Sequence, residues 1–458
     1  MGKRNIEVEG FSLWKLSWPL WIQLILVYAI MLTDSFFLSK FSDDYAASIG
    51  AIFPIYAIFY MLFNQMGQAG CSVASQYMGA KKNEQIISTY MTSVFIMLIT
   101  GIIASAFMFT FSRDIGTWVG LTPQNNEITR IYISFTGTSL VLESLKSAYN
   151  GILSSKGKTF WNMIVSILYN ITNILINVLF LTGFLGVPKL GVSGVAISTV
   201  ISELIALATL MFIVHVKEQI KFSFKDFTSK FKYLWKQVVK IGIPSSLEPI
   251  SVQLVGYVVT LIVVGLGMNA LAAKTYTFNL MSLITAWSVG IGVGTAIIVA
   301  HSVGAKKYEG ADKQLHKSIV FSSGICFLMV LVFLICSSLI FRLFTENKEI
   351  INLGIKLLII SLFWEPIRAI NIITAYSLSA AGDARFCAIS GTIIMWIVGL
   401  PLCYLISITL GFGLIGIWFA LFLDEVIRGI VYYFRWRKKR WQKMGITENK
   451  QNMAITEK

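Results

Sequence analysis

Apolar residues along this chain run in long blocks, with neither the alternation of a strand nor the narrow stripe of a soluble helix. Twelve blocks lie near 18–39, 50–75, 88–111, 131–153, 162–184, 192–214, 240–264, 271–300, 318–341, 353–378, 387–410 and 414–434. Crossing a bilayer takes about 20 mostly apolar residues. In lipid only helices or closed barrels satisfy every backbone group, and these blocks are far too long for barrel strands. The pattern predicts an all-α membrane protein of twelve transmembrane helices. The eighth block is long and carries Gly290, Gly292 and Gly294, so a bend or break is expected in it.

Composition supports the membrane class. Of 458 residues, 56% are hydrophobic and 13% charged, against about 25% charged in soluble domains. Mean hydropathy is +0.72. A net charge of +15 would suit nucleic acid, but here it sits in short links between blocks. One alternate set of links is basic: Lys3, Arg4 and Lys15; Lys81 and Lys82; Lys156 and Lys158; Lys217 to Lys240; Lys306 to Lys317; Arg385; and Arg435 to Arg440. The opposite set is poor, with Lys40 beside Asp43 and Asp44, Arg113 beside Asp114, Lys189, and Arg342 with Lys348 against Glu346 and Glu349. The excess of Lys and Arg on one side places both termini in the cytoplasm of a multi-pass protein of the cell membrane. The first block lacks a cleavage signature and is expected to remain as a span. Five Cys, with no CxxC or Cys/His spacing, give neither a disulfide framework nor a metal site, so no cofactor is expected.

The sequence repeats itself at half its length. SVASQYMGAKK closes the second block and IIVAHSVGAKK the eighth, with Gly79 and Gly304 225 positions apart. Pro19 and Pro244 open the first and seventh blocks at the same separation, as do Gly157 and Gly382 after the fourth and tenth. Later, LGVSGVAISTVISEL parallels FGLIGIWFALFLDEV, aligning Glu203 with Glu425 at 222. Four domains follow: a six-helix lobe over 1–214, a basic cytoplasmic linker over 215–240, a second six-helix lobe over 241–435 and a cytoplasmic tail over 436–458. A basic amphipathic surface helix is compatible with the linker. Six spans per half make both halves enter the membrane from the same side. That is the parallel-repeat plan of transporters, with two pseudo-symmetric bundles around a central cavity.

These residues resemble the multidrug and toxin extrusion (MATE) family, in its bacterial form, over essentially the whole chain. The likeness is carried by a Pro-opened first span with Asp34, GAKK after spans two and eight, GIPSSLE opening span seven and GDARF after span ten. The closing GLIGIWFALFLDEVIR, with Trp418, Ala420, Asp424 and Arg428, adds to it. The resemblance implies a secondary active antiporter that exports organic cations or related amphiphiles in exchange for protons or sodium, working as a monomer in membrane lipid. It also implies a coupling site in the first lobe that joins Asp34 to Asn177 and Thr199. The family's second acid is absent there, since Leu181 stands one turn after Asn177. A hard cation wants several oxygen ligands, so the substitution leans towards protons.

Charges at membrane depth cost about 3 kcal/mol or more and default to function. Asp34 has no base within a turn and is poised to take up a proton or hold a cation. Glu248, one turn after Pro244, suits a gate or a coupling group. Glu365 and Arg368 are i,i+3 neighbours around Pro366, equally readable as a cavity pair or a buried structural pair. Asp424 and Arg428 read as a structural ion pair. Glu143 and Lys146 echo Glu365 and Arg368, while Glu203 is a further candidate for binding a cation. Gln65, Gln68, Tyr276, Asn279 and Trp287 are cavity candidates, with aromatic faces suited to cations. His215, His301 and His316 lie near span ends and read as solvated rather than metal-binding.

No phosphate-binding loop, nucleophile elbow or metalloprotease motif is present, so an ATP-driven pump or a membrane enzyme fits poorly. The nearest rival is a flippase for lipid-linked precursors of the same superfamily, which would show more cavity cations. A channel or sensor without coupled transport would not need duplicated halves.

Overall fold

The computed structural model describes residues 11–183, 186–222 and 224–446. Lys3, Arg4 and the chain after 446 lie outside the described residues, as do the side chains of Lys40, Asp43 and Lys225. Among the described residues are twelve long helices: α1 Leu13–Phe41, α2 Asp43–Gly79, α3 Asn83–Thr110, α4 Pro123–Ser155, α5 Thr159–Thr182, α6 Val192–Phe212, α7 Phe224–Gly265, α8 Met268–Gly304, α9 Tyr308–Ile335, α10 Lys348–Ala380, α11 Ala384–Thr409 and α12 Gly413–Arg437. Ten of the predicted spans are long and apolar enough to cross a membrane on those grounds alone. The other two, α4 and α12, are as helical, with 33 and 25 residues. They fall short in apolarity because they carry Glu143 and Lys146, and Asp424, Glu425 and Arg428.

The chain divides into two compact units, Met1–Ile243 and Pro244–Lys458. In the first, α4 is the central helix and packs on α2, α3 and α6, while α1 pairs with α5. In the second, α10 takes the same place against α8, α9 and α12. Without water to expel between helices, close packing of small residues does the work in lipid. A Cβ at Gly151 of α4 would lie 2.6 Å from the carbonyl oxygen of Gly67 in α2, a backbone atom with nowhere to go. The glycines of α8 serve the same end. The expected break is absent, because Met268–Gly304 is one continuous helix. A Cβ at Gly292 would press on Ile372 and Tyr376 of α10, each at 3.2 Å.

The sequence repeat is a repeat of turns as well. After α2, Lys81 takes φ 57°, its N–H donates to the Met78 carbonyl (2.9 Å), and Lys82 N–H donates to that of Tyr77 (3.0 Å). After α8, Lys306 takes φ 58°, with the matching bonds to Val303 (3.0 Å) and Ser302 (2.8 Å). Both are Schellman caps with lysine where glycine is usual.

Two expected boundaries look different in three dimensions. The second part of the 215–240 linker forms no separate surface helix, since it is the start of α7, which runs 42 residues through Pro244 and Pro249. Within the first unit Phe231 packs edge-on against Phe95, and Lys230 reaches Glu84 (3.2 Å). The described part of the 436–458 tail is also folded. Trp441 stacks on Trp436 at 4.2 Å, both fully buried, and Trp436 Nε1 donates to Asp312 (2.7 Å).

Gly151→Ala is expected to cost about 2 kcal/mol through overpacking of the α2–α4 contact. The measurement is the melting temperature of the purified protein, with Gly256→Ala, where a Cβ meets nothing within 4 Å, as the control.

Candidate functional site

The first unit holds two polar clusters inside its helices. In one, Asp34 of α1 is buried, 8% exposed, and accepts a hydrogen bond from Asn177 Nδ2 of α5 (2.9 Å). The same amide nitrogen donates to Asn173 Oδ1 (2.8 Å), and Asn177 Oδ1 accepts from Ser198 Oγ of α6. Among the described residues no basic group lies within ion-pair distance of Asp34. Asp34 and Asn177 are therefore brought together as expected. Thr199 donates to the carbonyl of Val195 in its own helix (3.1 Å), and the residue of α6 that bonds Asn177 is its neighbour Ser198. One residue along a helix is a turn of about 100°, and sequence spacing alone did not set that phase.

In the other cluster, Lys146 of α4 is shared between two acids. Its Nζ bonds Glu143 on the same helix and both oxygens of Glu203 on α6 (2.9 and 2.7 Å), and it lies over the ring of Tyr169 on α5 at 4.7 Å.

The second unit repeats this second cluster. Arg368 of α10 donates to Glu365 on its own helix (2.6 Å) and to Glu425 on α12 (3.4 Å), and it stacks over the Trp364 ring at 4.2 Å. Glu143 and Glu365, Lys146 and Arg368, and Glu203 and Glu425 are each 222 positions apart. One arrangement, a base on the central helix held by two acids over an aromatic ring, thus occurs in both units. Around Arg368 the second unit adds further bonds, from Nη1 to Thr285 (3.1 Å) and from Asn371 to Glu425. A second base, Arg428, links Asp424 (2.9 and 2.7 Å), Glu425 (3.0 Å) and Glu248 of α7 (3.1 Å). Glu248 is thereby tied into the Asp424–Arg428 pair, which is larger than the two-residue pair the sequence suggested.

The cavity candidates fall in both units. Gln65 and Gln68 lie on α2 of the first unit. On α8, Tyr276 stacks on Phe344 (5.0 Å), Trp287 is buried against Phe321 (6.0 Å), and Asn279 is exposed. His215 is bonded to Tyr149 (3.0 Å) and to the Ile220 carbonyl (2.8 Å), and His316 to Tyr433 (3.3 Å), so both are structural rather than freely solvated. His301 is buried in α8.

A protein-family profile described as MatE matches residues 19–179 and 244–405, once per unit and with the two matches starting at Pro19 and Pro244. The chain belongs to the MATE family. It is 33% identical over 438 residues to the uncharacterized transporter YisQ of Bacillus subtilis, covering 96% of both chains. To the probable multidrug resistance protein YoeA of the same organism it is 25% identical, over 87% of both. A crystal structure of a MATE protein in a straight conformation matches with a TM-score of 0.87 at 18% identity, covering all of both chains. A variant of the Vibrio cholerae MATE transporter VcmN matches at 0.87 and 17%, covering 94% of this chain and 97% of that one. The two-lobed MATE fold and a multi-pass membrane transporter are thus established for this chain.

Residues that sequence reasoning passed over are Ser198, Tyr169, Thr285 and Asn371. Of these only Asn371 had a signal, as a polar residue one turn beyond Arg368. The common 222 spacing of the two triads was readable, but it differs by three from the 225 of the neighbouring motifs. In this MATE chain Arg428→Met should destabilise the second unit by about 3–5 kcal/mol, because it leaves buried carboxylates unpaired. Denaturant melts of the purified variant measure it; a change within about 0.5 kcal/mol, the usual size at a surface site, would show the network to be energetically idle.

Proposed function

We propose that this chain is a secondary active antiporter that exports organic cations across the cell membrane, with both termini cytoplasmic, and that protons entering at Asp34 drive the export. The single observation that carries this reading is the isolation of Asp34, a carboxylate within a span that accepts a hydrogen bond from the neutral Asn177 and, among the described residues, has no ion-pair partner. Every other membrane-depth acid discussed above is bonded to Lys146, Arg368 or Arg428. An unpaired carboxylate at this depth is a group that can accept and release a proton or a cation.

Protons are favoured over sodium by the way Asn177 presents itself. Its donor nitrogen faces Asp34, while its carbonyl oxygen is engaged by Ser198. A sodium ion needs oxygens turned towards it, and Leu181 supplies none. Loading a proton removes the charge on Asp34. It also weakens a charge-assisted hydrogen bond between α1 and α5. A site that loses both its attraction for a cation and one of its helix ties on protonation is suited to exchange cargo for protons through alternating access. Relatives named for multidrug resistance, YoeA and the NorM protein of Vibrio vulnificus (29% identical over 59% of both chains), support a drug-like cargo.

Reconstituted protein is expected to export ethidium under a proton gradient and not under a sodium gradient alone. Asp34→Asn should melt within about 1 kcal/mol of the parent, since it conserves shape at a site with no ion pair, yet lose proton-driven export. Undiminished export by that variant would remove Asp34 from the mechanism, and export driven only by sodium would overturn the choice of ion. Failure of the parent under both gradients would favour a lipid-linked cargo, tested by flipping of a labelled polyprenyl phosphate.

A further inference from the structure

The Lys146 cluster is not needed for proton coupling at Asp34, and its chemistry is that of a cation receptor. Glu143 and Glu203 supply carboxylate oxygens on two helices, and Tyr169 supplies a ring face 4.7 Å from the bound ammonium. Two acids and an aromatic face are what a primary ammonium on an organic molecule requires. We propose that Lys146 is a tethered stand-in for the cargo: it fills an alkylammonium site made by Glu143, Glu203 and Tyr169, and the ammonium of an arriving cargo displaces it. This rests on the reading of the chain as an exporter of organic cations.

Comparison of the two units shows why the first would be the exchangeable one. Arg368 is held by a planar fork to Glu365, Glu425 and Thr285, and Glu425 is claimed in addition by Arg428 and Asn371. Glu365 is fully enclosed. Lys146 instead is a point charge on a flexible stem. On the central helix the acid differs most, Glu143 keeping 15% side-chain exposure where Glu365 keeps none, while the bases are alike at 15% for Lys146 and 12% for Arg368. Charge balance allows the exchange as well. One lysine against two acids leaves a net −1, and with a monocationic cargo bound and the tethered Lys146 moved aside, two acids and two ammonium groups sum to zero. Removing Lys146 with nothing in its place leaves two acids without a counter-charge, which is why its departure awaits a replacement.

Dansylcadaverine, a fluorescent primary amine, is the probe, titrated into nanodisc-embedded protein. A site filled by its own competitor nine-tenths of the time weakens apparent affinity about tenfold. Lys146→Ala is therefore expected to bind the probe about tenfold tighter than the parent, and further substitution Glu203→Gln to abolish that gain. Propylammonium should raise the melting temperature of Lys146→Ala, and neutral propanol should not. Should Lys146→Ala fail to fold, Lys146→Gln fills the space with a neutral side chain, leaves both acids in place and is expected to tighten binding in the same direction. Unchanged or weaker binding in whichever variant folds would overturn the proposal and leave Lys146 as a structural tie between α4 and α6. Ethidium export by the parent is scored separately, so failure of the transport reading remains distinct from failure of the ammonium site.

Discussion

Lipid offers no hydrogen bonds, so a charge carried to membrane depth has to be answered from within the protein. In this chain the answer is one base divided between two acids on neighbouring helices. Lys146 gives that answer in the first unit and Arg368 in the second, each from the central helix around which the others pack. The device explains why α4 and α12 remain helices despite being too polar to qualify as spans on hydropathy. Their charges are solvated by each unit's own side chains, and their small residues, such as Gly151, bring the backbones close.

Duplication then allowed the two units to part company. The position of Asp34 corresponds at 225 to Val259, buried in the apolar core of the second unit. Ser198 corresponds at 222 to Ala420 in that same core. In the other direction, Glu248, Asp424 and Arg428 correspond to Gln23, Ser202 and Ala206. Among the described residues the first unit therefore keeps a carboxylate with no ion-pair partner, and the second binds its extra acids with an extra base.

Much of this was legible in the sequence because apolar blocks and repeated motifs are one-dimensional signals. The twelve helices, the α2 and α8 cap motifs and the i,i+3 pairing of Glu365 with Arg368 follow from spacing along the chain, while the joining of Asp34 to Asn177 came from the family resemblance. What escaped is set by helix phase and by contacts across long separations. Thr199 and Ser198 are adjacent in sequence and both bond the Val195 carbonyl, yet Ser198 is the one that also bonds Asn177. Glu248 and Arg428 meet across 180 residues, which no local pattern encodes. Tyr169 was one aromatic among many until a lysine was found over its ring. The glycines of α8 were read as weak points in a helix, because sequence shows the missing side chain and not the neighbour that occupies its space.

Lys81 and Lys306 sit in left-handed backbone, where a side chain costs about 1–2 kcal/mol that glycine would not. A sequence chosen only for the finished fold would place glycine at both. Basic residues in short links decide which face of the membrane a link stays on while the chain is being inserted. The two lysines therefore carry a small permanent loss of stability at the same point of each half, in a position where a basic residue also serves as an orientation signal.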